Sequence, residues 1–108
     1  MEVLAKRIAR RDIDVTTAFS AAAALQALRR QDFDVAVLDL EMKDMDAIEV
    51  LKVFKKMLPS MPVIILTGPG TMQSAGEGLK EGAFDYLTKP YELEDLIAKI
   101  RAAVARGR

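Results

Sequence analysis

Two short apolar runs constrain this chain more than any other feature. Val35-Ala36-Val37-Leu38 stops at Asp39, and Val63-Ile64-Ile65-Leu66 stops at Thr67. Both are rich in β-branched residues, and each opens on a polar or chain-breaking residue, Asp34 or Pro62. An unbroken apolar run of this length fits a strand buried on both faces of a parallel sheet, because a strand with one wet face would alternate. Phe84-Asp85-Tyr86-Leu87-Thr88 reads as a further strand, entered through Gly82 and stopped by Pro90. Ile13-Asp14-Val15-Thr16-Thr17 alternates apolar and polar residues and predicts a half-exposed edge strand.

Helical periodicity fills the intervals. Leu93, Leu96, Ile97, Ile100 and Val104 share one face of a helix. Ile48, Leu51, Phe54 and Leu58 mark another, closed by Pro59, and Leu25 and Leu28 mark a third over about 20–30. Val3, Leu4 and Ile8 open the chain on a short helix. The segment at about 72–80 is a weaker helix, since Gly76 and Gly78 each cost about 1 kcal/mol against alanine. Alternation of this kind predicts an α/β fold, an open doubly wound parallel sheet of four strands with helices on both faces. A closed barrel of eight such units needs about 250 residues, and this chain has 108. No repeat or linker-like stretch divides it, so residues 1–108 read as one domain.

Composition removes whole classes of function. With no cysteine and no histidine there is no disulfide, thiol nucleophile, Cys/His zinc site or imidazole base. Lys+Arg 16 balances Asp+Glu 16, which argues against direct nucleic-acid binding by this chain. Arg101, Arg106 and Arg108 read as charges favourable near a helix C-terminus. No apolar run is long enough to span a membrane. Any chemistry falls to carboxylates, hydroxyls, lysines and backbone groups.

In open α/β sheets, ligands bind outside the carboxyl ends of the strands. Asp39, Thr67 and Lys89 are delivered there, one from each of three successive strand ends. Each has a plain reading of its own: a turn or cap residue, a β-branched strand terminator before Gly68-Pro69-Gly70, a solvated lysine. Together they are the pieces that accept and hold a phosphoryl group: a nucleophilic carboxylate, a hydroxyl donor and a fixed positive charge. A nucleotide or flavin enzyme on the same fold would need a longer phosphate-cradling loop than Gly68-Pro69-Gly70.

Val35-Ala36-Val37-Leu38-Asp39-Leu40, Met45-Asp46, Val63-Ile64-Ile65-Leu66-Thr67-Gly68 and Gly82-Ala83-Phe84-Asp85-Tyr86-Leu87-Thr88-Lys89-Pro90 stand in order along the chain. In these motifs it resembles the receiver domain of bacterial two-component response regulators, most closely receivers attached to transcriptional activators. The resemblance implies a flavodoxin-like sheet in the order 2-1-3-4-5 and a cytoplasmic regulatory phosphoacceptor, not an enzyme in its own right. Asp39 would attack a phosphohistidine on a sensor histidine kinase or phosphotransfer protein, and Lys89 would pair with Asp39 or with the phosphoryl group. Thr67 would bind a phosphoryl oxygen, Tyr86 would be the switch residue, and the Lys89-Pro90 bond would be cis. Mg²⁺ would be held by Asp39 and the backbone carbonyl of Glu41, and is expected to be weakly bound or absent in this chain. The output surface would lie at about 72–104, serving a homodimer or a downstream output domain.

The family also carries an acidic pair at the end of its first strand. Aligned through Asp39, that pair falls ahead of Met1, so the chain is expected to lack the family's first strand and to derive from a longer protein. Glu41 and Asp44 are expected to be solvated loop acids. Lys43, Asp44 and Ala47 replace the usual proline and glycines after the phosphoacceptor, and Pro69 stands in the loop after Thr67. The alternative function is a phosphorylation-independent receiver that acts as an interaction or dimerisation module.

Overall fold

The computed structural model describes residues 13–14, 16–41 and 46–106. The chain divides into two compact units, Met1–Asp32 and Phe33–Arg108. In the first, helix α1 spans Ala21–Arg30. The Ser20 hydroxyl caps it by accepting from the Ala23 N–H at 3.1 Å, and Arg29 and Arg30 sit in its last turn, where positive charge is favourable. The opening helix anticipated around Val3, Leu4 and Ile8 lies outside the described residues.

The second unit runs β1 (Ala36–Asp39), α2 (Ala47–Met57), β2 (Val63–Thr67), a 3₁₀ turn (Pro69–Thr71), α3 (Met72–Lys80), β3 (Asp85–Thr88) and α4 (Leu93–Arg106). The three strands form a parallel sheet in the order β1-β2-β3. All five residues of the central strand β2 are buried, as an unbroken apolar run requires in a sheet covered on both faces. Helix α3 packs on the face that carries Ile65, where α2 brings Ile48 and Leu51 to the same spot. Helix α4 covers the opposite face: its Lys99 reaches Asp85, whose register partner on β2 is Ile64. The fold is therefore the α/β, doubly wound type.

Among the described residues the sheet has three strands, not four. Ile13, Asp14, Thr16 and Thr17 form no strand, and Val15 lies outside the described residues. Alternating polarity says only that a segment suits a half-buried ladder. A strand exists where another backbone takes its N–H and C=O groups.

The helices bury slightly different stripes from those the spacing suggests. In α2 the buried set is Ala47, Val50, Leu51 and Phe54, while Ile48 is half-buried. In α4 it is Leu96, Ile97, Ile100 and Ala103. Full burial of side chains such as Leu51, Ile64, Ile65 and Ile97 contributes roughly 1.5–3 kcal/mol each. Helix α3 forms despite its two glycines, and one of them explains how. A Cβ at Gly78 would overlap the Ile65 Cδ1 atom, so the missing side chain lets α3 lie close on β2. The helix ends in a Schellman motif, with Ala83 N–H donating to Gly78 O at 3.0 Å and Gly82 N–H to Leu79 O at 3.2 Å. Gly82 sits at φ 110°, a conformation that suits glycine. The turn sends the chain directly into β3, where Phe84 N–H donates to Val63 O at 2.8 Å.

Candidate functional site

Parallel register places the carboxyl ends of β1, β2 and β3 side by side. Asp39 pairs in register with Leu66 and Thr67 with Thr88. Two main-chain bonds carry the ladder one step further, Leu40 N–H to Leu66 O at 2.9 Å and Lys89 N–H to Thr67 O at 2.7 Å. Asp39, Thr67 and Lys89 are thus held at one sheet edge by the backbone itself.

The side chains complete the arrangement. Lys89 Nζ donates to Asp39 Oδ2 at 2.7 Å, and Asp39 Oδ1 accepts the N–H of Glu41 at 2.9 Å. Lys89 Nζ also lies 3.3 Å from Glu41 Oε1. Burial pulls the Lys89 ammonium down, but its bonds and charge interactions with Asp39 and Glu41 outweigh that and hold it above the ordinary lysine value. It is therefore a permanently charged donor at neutral pH. The Lys89-Pro90 peptide bond is cis. Nearby, burial raises the Tyr91 phenol above its usual range, with Lys89 pulling it down and Asp39 pushing it up.

Thr67 is fully buried. Its Oγ1 lies 2.6 Å from Thr71 Oγ1, which also accepts the Gly68 N–H at 2.9 Å. Tyr86 is half-buried on β3 and lines an open groove of about 530 Å³ beside α4, with Tyr91, Asp95 and Lys99. On the wall of that groove Lys99 Nζ bonds Asp85 Oδ2 at 2.6 Å.

Two features escape sequence reasoning. The Glu41 side chain is not simply solvated: its carboxylate folds back toward Lys89 and fills the space that a Cβ on Gly68 would need. Thr71 is the other. Its place before α3 reads as a helix cap, yet it makes no side-chain capping bond to that helix; only the folded loop reveals that it turns toward Thr67. Asp44 lies outside the described residues.

A carboxylate locked to a lysine at a parallel-sheet edge, with a buried threonine on the strand between them, is the arrangement the resemblance implies. The family model of the response regulator receiver domain matches residues 1–101. The chain belongs to the response regulator receiver family. This receiver is 40% identical over 92 residues to the transcriptional regulatory protein ZraR of Escherichia coli K12, covering 85% of this chain and 21% of that protein. It is 38% identical over 84 residues to the DNA-binding transcriptional regulator NtrC of Proteus hauseri, covering 78% of this chain and 18% of that one. The receiver thus spans about a fifth of the length of these relatives. Among solved structures, the receiver domain of NtrX from Brucella abortus superposes with a TM-score of 0.91 at 26% identity, covering 96% of this chain and 88% of that one. The receiver domain of the Francisella response regulator 1452 gives 0.86 at 34% identity, with 99% and 88% covered.

Receiver domains generally bind Mg²⁺ at an acidic pocket. Here the Asp39 carboxylate and the Glu41 main-chain carbonyl and carboxylate are hard oxygen donors, the kind such a cation takes. They fit it in kind. Among the described residues no group of three or more acidic side chains gathers around one point.

Proposed function

We propose that Asp39 is the phosphoacceptor of this receiver and that Lys89 and Thr67 hold the phosphoryl group once it arrives. The observation that carries the reading is the 2.7 Å bond between Lys89 Nζ and Asp39 Oδ2 at the sheet edge that also bears Thr67. An Asp39 oxygen attacks the phosphorus of a phosphohistidine on a sensor kinase or phosphotransfer protein. The P–N bond breaks, the imidazole leaves with the electron pair and takes up a proton, and an acyl phosphate remains on Asp39. The engaged carboxylate oxygens each keep a free lone pair for this attack. Lys89 follows the charge from the carboxylate to the phosphoryl oxygens, and Thr67 donates to one of them. Mg²⁺, held by Asp39 and the Glu41 carbonyl, would neutralise charge on the phosphoryl oxygens when bound.

The donor histidine belongs to the partner, since this chain contains none. Tyr86 is the residue we assign to the switch. Its place on the groove beside α4, within residues 72–104, supports an output surface there, for a second copy or for an output domain in the longer regulators. We read the chain as one cytoplasmic receiver-like domain, a regulatory phosphoacceptor, because the family match runs across both compact units. Among the described residues no three acidic side chains gather at one point, and a phosphorylation-independent interaction module is the second reading.

Acetyl phosphate with Mg²⁺ separates the two. Intact-mass spectrometry should show the gain of one phosphoryl group on the wild-type chain and none on Asp39→Asn. A wild-type chain that stays unlabelled, or an Asp39→Asn chain that labels equally, would overturn the phosphoacceptor reading.

A further inference from the structure

We propose that Thr71 is a positioning residue whose hydroxyl latches Thr67 in a resting orientation, and that phosphorylation must break this latch. The inference rests on the phosphoacceptor reading above and adds to it the group that opposes the switch.

The short contact between the two hydroxyls is the starting point. A threonine hydroxyl has one proton to give and two lone pairs to receive with. Thr71 Oγ1 accepts the Gly68 N–H at 2.9 Å and lies 2.6 Å from Thr67 Oγ1. The other acceptor within reach of both hydroxyls is Gly68 O, at 3.3 Å from each, long for an O–H···O bond. The short contact is therefore the strong one, and either hydroxyl can be its donor. With either donor it fixes the direction of Thr67 Oγ1, and turning that oxygen toward a phosphoryl group breaks the contact.

Thr71 is both the N-cap residue of α3 and the third residue of the 3₁₀ turn. Its hydroxyl makes no bond to α3; it caps the 3₁₀ turn by accepting the Gly68 N–H and lies against Thr67. Three constraints keep it there. Pro69 fixes its own φ at the start of the 3₁₀ turn. Thr71 N–H donates to Gly68 O at 3.0 Å, closing that turn. The Glu41 carboxylate, packed where a Cβ on Gly68 would stand, holds the loop from the other side. Because Thr67 has no exposed surface, water offers it no substitute for Thr71. The strength of the bond thus enters directly into the balance between resting and engaged states.

The test is a titration of the full chain with beryllofluoride and Mg²⁺, a phosphoryl mimic that needs Thr67 to turn. Thr71→Val, which keeps the shape and removes the hydroxyl, should bind roughly three- to tenfold more tightly than wild type, the scale of one hydrogen bond. Thr71→Ser, which keeps the hydroxyl, should stay near wild type. Affinity that is unchanged or weaker in Thr71→Val overturns the latch. Thr71→Ala, which adds no bulk, gives the same comparison should valine disturb the loop. A second readout needs no ligand: side-chain coupling constants of Thr67 in the free protein should report one rotamer in wild type and averaging in Thr71→Val. A single rotamer in both also refutes the latch. A wild-type chain that binds no beryllofluoride at Asp39 refutes the phosphoacceptor reading itself, whereas wild-type binding without a gain in Thr71→Val refutes the latch alone.

Discussion

Gly78→Ala and Gly76→Ala form a matched pair in one helix, and the structure assigns them opposite signs. Both replace glycine by alanine in the interior of α3, so both gain about 1 kcal/mol of intrinsic helix preference. At position 76 a new Cβ meets nothing within 4 Å, and that gain is the whole effect. At position 78 the Cβ lands on Ile65 Cδ1. Ile65 is fully buried in the central strand, and Ile48 and Leu51 also stand 3.4 and 3.5 Å from the added atom. Overpacking of this kind costs roughly 1–3 kcal/mol. Since the helix preference cancels between the two variants, their difference in unfolding free energy should equal that packing cost. Gly76→Ala should stabilise by about 1 kcal/mol, and Gly78→Ala should be neutral to destabilising by about 2 kcal/mol. Urea titration followed by circular dichroism measures both. A third variant isolates the contact: Ile65→Val removes Cδ1, which alone should cost about 0.5–1.5 kcal/mol but should cost little or nothing on the Gly78→Ala background. Equal stabilisation by both alanines, or strictly additive effects of Gly78→Ala and Ile65→Val, would refute the close seating of α3 on β2.

Two further outcomes follow from the same structure. Burial opposes ionisation of Asp85, but its bonds to Lys99 and to the Tyr86 N–H outweigh that and hold the carboxyl below its ordinary value. A folded-state value below the unfolded one gives stability that is present above about pH 4 and is lost as the pH falls through the folded value. Asp85→Asn should therefore be less stable than wild type at neutral pH, modestly because the pair is partly exposed, and the gap should close on acidification; a gap independent of pH would count against it. Gly82→Ala places a Cβ on a backbone at φ 110°, 3.3 Å from the Lys55 side chain, and should lower stability by about 1–2 kcal/mol in the same urea assay. An unchanged midpoint would show that the turn relaxes.

The element types were legible because they rest on local patterns. The runs at Val63–Leu66 and Val35–Leu38 announced parallel strands, and β2 and β1 stand on them; β2 is buried throughout, whereas β1 buries only Leu38 and leaves Val37 exposed. The spacing of Leu96, Ile97 and Ile100 announced the buried face of α4. A pattern does not, however, say whether a partner backbone is present, which is why the alternation at Ile13–Thr17 did not suffice to make a strand among the described residues. The glycine at 78 looked like a weakness of its helix when only propensity was weighed. Its advantage is steric and arises from a residue thirteen positions away on another element.

By itself, the sequence determined which residues reach the carboxyl edge of the sheet, because a strand ends where its apolar run ends, and Asp39, Thr67 and Lys89 stand at those ends. The absence of histidine likewise places a phosphohistidine donor outside these 108 residues. Only the tertiary structure decided what those residues touch. The Lys89 bond to Asp39 spans fifty positions of chain, the Glu41 carboxylate folds over Gly68, and the Thr71 hydroxyl turns from its own helix to Thr67. Side-chain hydrogen bonds depend on directions and distances of a few tenths of an ångström, and those are set by how the elements pack, not by their order in the chain.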